Sequence, residues 1–349
     1  MANYDQFAAA VKELSGGKNV VLLDDIGLPS VYVPIPKMKC SDLIKDGSEN
    51  VHPAFSVDGV EKSRFFYSKY LNVVINDRAY SLAHREPRTF INFDTAKKVC
   101  DNKGAGFHLG TLAEWSAIAL LSRKMGTMPH GNNNYGQDTS YPYEKGTETK
   151  KDTTSGKVTK TFTGSGPATW GHDHTQFGIQ DLNGNVWEWL GGMRTNVGEI
   201  QIIPYNNAAM GSECDMSATS TLWKAIKSDG SLVEPGTEGT LKYDKVGSAI
   251  QLSTTASDVD GYSCSYTSMT LASGLTAPEI AKALILYPDE PGGDYGGDYH
   301  WANNRYECVP LAGGVWDDGA SAGVFYLGLY NVRSYSHSSI GFRSAYVEL

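Results

Sequence analysis

The chain has little of what marks a nucleic-acid, membrane or disulfide protein. Its 30 Lys and Arg are outnumbered by 39 Asp and Glu, for a net charge of -9 and a pI near 5.4. No basic patch is visible, so a phosphate-backbone partner is not expected. No apolar run approaches the roughly 18 residues of a membrane span, and the opening Met-Ala-Asn-Tyr-Asp-Gln-Phe has neither the basic nor the apolar part of a signal peptide. Membrane insertion and signal-directed export are therefore not expected. The five cysteines, Cys40, Cys100, Cys214, Cys264 and Cys308, are widely spaced, odd in number and include no C-x-x-C pair. Buried free thiols fit that pattern better than a disulfide framework.

Glycine and tyrosine are abundant instead, at 38 and 20 residues, which points to many tight turns and irregular loops rather than long helices. Residues 4 to 14 read as a short amphipathic helix. The apolar runs Val20 to Leu23 and Val31 to Ile35 follow, with Pro29, Pro34 and Pro36 expected to limit their pairing. A strand is expected after Arg64 and a helix near Asp94 carrying Ala96, Val99 and Cys100. A second helix opens on the capping box Thr111-Leu-Ala-Glu114, with Leu112, Trp115 and Ala119 on one face. The Gly, Thr and Lys rich stretch between Gly126 and Gly171 reads as exposed loops or a protruding hairpin. His172 and His174 sit in a loop and offer two imidazoles, one short of a three-histidine iron site. A helix is expected near Ala277 to Leu284, and the repeated Gly-Gly-Asp-Tyr at 292–299 reads as a solvated connection.

The closing stretch is the most informative. Gly313, Gly314, Trp316, Gly323, Phe325, Leu327, Leu329, Arg333, Ile340, Gly341, Phe342 and Arg343 have the character of a packed scaffold. Interleaved with them are Val315, Asp317, Asp318, Ser321, Tyr326, Gly328, Tyr330, Asn331, Tyr335, His337, Ser338 and Ser339. That second set is rich in the residues of binding loops, where Tyr supplies rigid contact area and Ser, Gly, Asn and Asp supply adaptable hydrogen bonding. The run 324–330 alternates as a strand, with Phe325, Leu327 and Leu329 expected to pack and Tyr326, Gly328 and Tyr330 expected to face solvent.

The segments Gly104-Ala-Gly-Phe-His-Leu-Gly-Thr-Leu-Ala-Glu-Trp115, Gly184-Asn-Val-Trp-Glu-Trp189, Gly313-Gly-Val-Trp316 and Gly341-Phe-Arg343 occur in the order seen in the formylglycine-generating-enzyme (sulfatase-modifying factor) branch of the C-type lectin fold, which the chain resembles from Arg64 to Leu349. Within that branch the closing stretch is most similar to the variable region of proteins diversified by diversity-generating retroelements. There, adenine mutagenesis turns AAC-type Asn codons into Tyr, Asp, Ser, His, Gly, Val and similar residues, never into Lys, Glu, Gln, Met or Trp. None of those five occurs from Asp317 to Gly341, and all twelve interleaved residues are reachable from AAC.

The resemblance implies an α+β, loop-rich, C-type lectin-like fold. Residues 1–60 would form an N-terminal extension that docks or oligomerises. Residues 61–349 would form the lectin-like domain, with an insertion at about 192–300 and a variable region at about 311–345. It further implies a non-enzymatic, ligand-binding display protein, its partner a protein or glycan on a cell surface and its setting a phage virion, or the bacterial cytoplasm before assembly. A formylglycine-generating oxidoreductase and a structural virion assembly protein are the alternatives. The first needs a copper-binding cysteine pair near the C-terminus, and no cysteine lies between Gly314 and Leu349. No cofactor is required on the display reading. Carried over by position, a structural calcium of the enzyme relatives would take the Asp181 and Glu188 carboxylates and the carbonyls of Gly184 and Val186. Otherwise Glu188 accepts buried backbone donors while Trp187 and Trp189 fill the core.

Overall fold

The computed structural model describes residues 4–349. Its central element is the helix Leu112–Met125. Thr111 Oγ1 accepts the Glu114 N–H at 3.2 Å and Glu114 Oε2 accepts the Thr111 N–H at 3.0 Å, so the expected capping box closes. The helix is buried on nearly every side rather than on one face. Trp115 Nε1–H donates to the Val324 carbonyl at 2.7 Å and so pins the helix to the C-terminal strand.

Two sheets flank this region. The first has five antiparallel strands in the spatial order Val20–Leu23, Pro29–Pro36, Arg64–Ser68, Ser344–Tyr346, Phe107–Leu109. The second has six in the order Tyr262–Ser265, Tyr299–Ala302, Gly323–Leu329, Leu311–Gly313, Trp187–Trp189, Ile340–Phe342. A third sheet is built mainly from strands between Met193 and Leu271. Helices are few and short, so the architecture is α+β, sheet-dominated and loop-rich, as expected. The helix Phe93–Asp101 buries Ala96, Val99 and Cys100, and a helix forms at Glu279–Ala283, both where expected. Strands Glu148–Lys151 and Val158–Thr161 pair as the expected hairpin. Among the described residues no helix is long and apolar enough to cross a membrane.

Two expectations are corrected. Residues up to 60 are not peripheral, because Pro29–Pro36 is an inner strand of the first sheet. Its prolines are tolerated because Val20–Leu23 pairs only with residues 29–32 and Arg64–Ser68 only with 32–36, so no proline is bonded on both sides. The 192–300 segment, expected as an insertion into one domain, is integrated into the sheets. It supplies most of the third sheet, and its Tyr262–Ser265 and Tyr299–Ala302 strands extend the second sheet beside Gly323–Leu329. The Gly-Gly-Asp-Tyr repeat is not a solvated connection either, since Tyr295 and Asp298 are both buried. Tyr295 O–H donates to Asp289 at 2.6 Å, and Asp298 Oδ2 accepts the Phe325 N–H at 2.7 Å. A Cβ on Gly323, whose φ is +154°, would lie 2.2 Å from the Asp298 carboxylate, so this latch requires glycine there.

A buried ion pair joins the two flanking sheets. Arg343 Nε–H donates to both oxygens of Glu188, at 2.8 and 3.0 Å, and neither side chain is more than 1 % exposed. The remaining guanidinium N–H groups reach the carbonyls of Lys69 at 3.1 Å and Asp181 at 2.9 Å. Arg343→Ala strands a charge in the core and is expected to cost about 3–5 kcal/mol, read from chemical denaturation; a cost below about 1 kcal/mol would contradict the role given to the pair.

Asp298 gives a second test. Burial, eased by the Phe325 N–H and worsened by Asp294, holds its carboxyl well above the usual range. A raised carboxyl contributes stability that is complete below the unfolded pKa and is lost as pH rises through the folded one. Wild-type protein should therefore lose stability relative to Asp298→Asn as pH rises from about 4 to 7. Asp298→Ala, which leaves the Phe325 N–H without an acceptor, should cost about 1–3 kcal/mol.

Candidate ligand-binding site

The Gly323–Leu329 strand lies between Leu311–Gly313 and Tyr299–Ala302, and every residue in it is buried. Phe325, Leu327 and Leu329 point into the core as expected, with Phe325 stacked on Tyr266 at 5.4 Å and edge-on to Tyr295 at 5.0 Å. The opposite face is not simply presented to solvent. Tyr326 is 5 % exposed and stacks with Trp187 at 6.4 Å. It forms the floor of a recess.

That recess has a volume of about 510 Å³. Asp318, Tyr326, Gly328, Tyr330 and Asn331 line it from the C-terminal stretch, and Trp187, Asp260, Gly261, Trp301 and Leu311 complete it. Asp318 Oδ2 accepts both the Trp187 Nε1–H at 3.1 Å and the Val315 N–H at 3.0 Å, which ties the floor to the preceding turn. Burial pushes the Asp318 carboxyl up to about 6, an effect opposed by the Val315 N–H and reinforced by Asp317. On the far wall, a Cβ on Gly261 would come within 2.8 Å of the Tyr330 ring, so the ring rests directly on the backbone there. At Gly328 a Cβ would meet only ordinary contacts, Tyr326 at 3.4 Å and Leu311 at 3.6–3.7 Å. That glycine leaves space in the recess that a side chain would take up.

The twelve expected display positions separate into groups. Five line the recess. Tyr335 and His337 are exposed and stack at 6.3 Å beside the exposed Phe90, 6.5 Å from His337. Asp317 is exposed, whereas Ser321 and Ser338 are half-buried. Exposure of all twelve is not observed, because Val315 and Ser339 are only 3 % exposed. Val315 is held by its N–H bond to Asp318, and Ser339 by its carbonyl, which accepts the Trp187 N–H at 2.9 Å, and by its hydroxyl, 2.7 Å from His337 Nδ1. Both serve the backbone that carries the face.

Sequence reasoning missed Trp187, Asp260, Gly261 and Trp301. Trp187 was expected in the core beside Trp189. Only Trp189 is fully buried, its Nε1–H donating to the Ile91 carbonyl at 2.9 Å, while Trp187 is half-buried at the recess. Two residues apart on one short strand, the tryptophans share a face, so strand periodicity gives no clue to the difference; it comes from what covers each ring. Asp260 and Gly261 come from the inserted segment and Trp301 from the strand at its end, and none carries a local signal.

At the positions expected to donate to calcium, three of the four carboxylate oxygens have protein partners. Both Glu188 oxygens are engaged by Arg343, so a dication there would compete with a guanidinium already in place. Asp181 accepts the Gly164 N–H at 2.7 Å through one oxygen, and its other oxygen is buried without a partner. Gly184 is in a left-handed turn with its amide bonded to the Gly313 carbonyl, and Val186 is buried. His172 and His174 are occupied locally: His172 Nδ1 accepts the Ile179 N–H and His174 Nε2 lies 2.9 Å from the Met128 carbonyl. Larger clefts of about 720 and 940 Å³ lie elsewhere, and neither includes a residue of the C-terminal stretch.

Residues 58–217 match the sulfatase-modifying factor enzyme 1-like domain. No curated protein sequence matches the chain. Among solved structures, Treponema denticola variable protein 1 is 13% identical, aligning 94% of this chain with 98% of its own at a TM-score of 0.33. The P3c and U1 variants of Major Tropism Determinant are each 12% identical, aligning 94% of this chain with 71% of theirs at TM-scores of 0.32 and 0.30.

The two glycines of the recess make separable predictions. Gly328→Ala should leave the melting temperature within about 2 °C of wild type, since it meets only ordinary contacts. Gly261→Ala meets the Tyr330 ring at a φ of +53° and should destabilise the protein by about 1 kcal/mol or more. Differential scanning calorimetry of both decides the point; equal losses would mean that the space at Gly328 is not there.

Proposed function

We propose that this chain is a ligand-binding display protein whose C-terminal face is diversified by a retroelement, and that it recognises molecules on a cell surface. The observation that carries the reading is the recess itself. Five positions reachable from AAC codons converge on one concavity, while the framework positions Phe325, Leu327, Leu329, Ile340, Phe342 and Arg343 are buried. A fold that holds its variable residues over a separately packed core can change its specificity without losing stability, because exposed substitutions usually shift stability by about 0.5 kcal/mol or less. The exposed Tyr335 and His337 would extend the contact beyond the recess. A virion component that contacts a host is the setting this reading favours.

An oxidoreductase of the formylglycine-generating type fits the same scaffold less well. All five cysteines are buried free thiols. Burial pushes Cys40 and Cys308 up to about 12 and Cys100 well above its usual range, whereas copper-binding or nucleophilic sulfur must be thiolate. The recess, moreover, is lined by no cysteine.

The test is genetic. A near-copy of the DNA encoding the closing stretch should lie close by, beside a reverse-transcriptase gene, with adenines at the codons of Asp318, Tyr326, Gly328, Tyr330 and Asn331. In the protein, combined Ala or Asn replacement of Asp317, Ser321, Tyr330, Tyr335 and His337 should abolish partner binding and move the melting temperature by less than about 4 °C. A near-copy lacking adenines at the recess codons would sink the retroelement reading.

A further inference from the structure

The chemistry of the recess is one-sided. Its walls present the rings of Trp187, Trp301, Tyr326 and Tyr330 and the carboxylates of Asp260 and Asp318, with no Lys, Arg or His among the lining residues. Asp317 is exposed next to Asp318 and adds to the negative field felt there. The cation close to the rim, Arg305, is shared between Asp258 at 3.1 Å and Asp260 at 3.3 Å, so that cluster keeps an excess of negative charge. Aromatic faces attract cations through their quadrupoles, and the attraction grows as the cation is withdrawn from water. A carboxylate in the same recess adds a charged hydrogen-bond acceptor.

On the display reading above, we infer that this recess binds a cationic side chain, an arginine or lysine presented by a protein partner. The flat rings provide stacking surface for a guanidinium or for the methylenes of a lysine, and Asp318 accepts its N–H groups, while Asp260, already bonded to the Asn303 amide and to Arg305, adds negative charge at the rim. Charge complementarity favours this occupant over a neutral sugar. A sugar ring could stack on the same tryptophans, but it would leave the negative charge of the recess without a counter-ion. Space for the side chain comes from Gly328, which leaves the floor between Tyr326 and Leu311 open. Because burial pushes the Asp318 carboxyl up to about 6, cation binding should weaken as pH falls through that range. The groups that face Asp318 are Asp317, Tyr326, and the Trp187 and Val315 N–H donors.

The experiment uses the full chain and blocked tripeptides, acetyl-Gly-Arg-Gly-amide and its lysine counterpart, titrated by calorimetry and tryptophan fluorescence at low salt. The citrulline peptide and a methyl glucoside serve as neutral probes. Arginine or lysine peptide should saturate the protein, with citrulline at least about tenfold weaker. Asp318→Asn, which retains an acceptor for Trp187 and Val315, should weaken the charged peptides about five- to tenfold, as should Asp260→Asn. Gly328→Tyr, filling the recess, should abolish binding. Equal binding of citrulline and arginine, saturation by the glucoside alone, indifference to both Asp→Asn changes, or no saturation by either charged peptide up to about 10 mM would each overturn the inference. These failures are distinguishable from failure of the display reading. A natural partner whose binding depends on Tyr330 but not on charge would refute the cation and leave the display face standing. Absence of the adenine-bearing template would refute retroelement diversification without touching the peptide result.

Discussion

The buried contact between Arg343 and Glu188 is the constraint on which the rest of the molecule depends. A guanidinium that is 0 % exposed satisfies a carboxylate on the second sheet and backbone carbonyls at Lys69 and Asp181. Burying two charges is favourable only when partners satisfy both completely, and here the partners of Arg343 come from two separated parts of the chain, at Lys69 and at 181–188. Chain order makes the contact necessary. Ile340–Phe342 closes one edge of the six-stranded sheet, and two residues later Ser344–Tyr346 enters the five-stranded sheet between Arg64–Ser68 and Phe107–Leu109. Arg343 sits at the crossing and holds both sheets at a fixed separation.

From that crossing the binding face follows. The parallel pairing of Trp187–Trp189 with Ile340–Phe342 places Trp187 beside the 315–318 turn, and the Trp187 indole N–H then anchors Asp318. On the other side, the Asp298 latch holds the inserted strand against Gly323–Leu329, which brings Trp301 and Asp260 to the same recess. The recess thus combines Trp187, Asp260, Gly261 and Trp301 from elsewhere in the chain with Asp318, Tyr326, Gly328, Tyr330 and Asn331 from the C-terminal stretch.

Several features were legible in the chain because their causes are local. A capping box needs two side chains three residues apart, so Thr111 and Glu114 announced the start of the central helix. Alternation along 324–329 announced a strand with Phe325, Leu327 and Leu329 in the core, because a strand's side chains alternate whatever its neighbours do. The split between binding-type and scaffold-type residues is readable from residue type alone. Of the twelve binding-type positions, Asp318, Tyr326, Gly328, Tyr330 and Asn331 line one recess, whereas Val315 and Ser339 are buried.

What the amino-acid sequence determined by itself, then, was a sheet-rich, glycine-punctuated α+β chain with an interleaved C-terminal stretch of binding-type residues. What tertiary structure alone decided was whether each exposed-type residue meets solvent, a recess or the core. Tyr326 is floor rather than surface because Trp187 lies over it, and Glu188 pairs with Arg343, a residue 155 positions away. Asp260 and Trp301 could not be assigned to the site from sequence, since only the pairing of inserted strands with Gly323–Leu329 puts them there. The physical reason is the same in each case. Periodicity and capping are set by neighbours within a few residues, whereas burial, charge pairing and cavity shape are set by contacts between segments far apart in the chain.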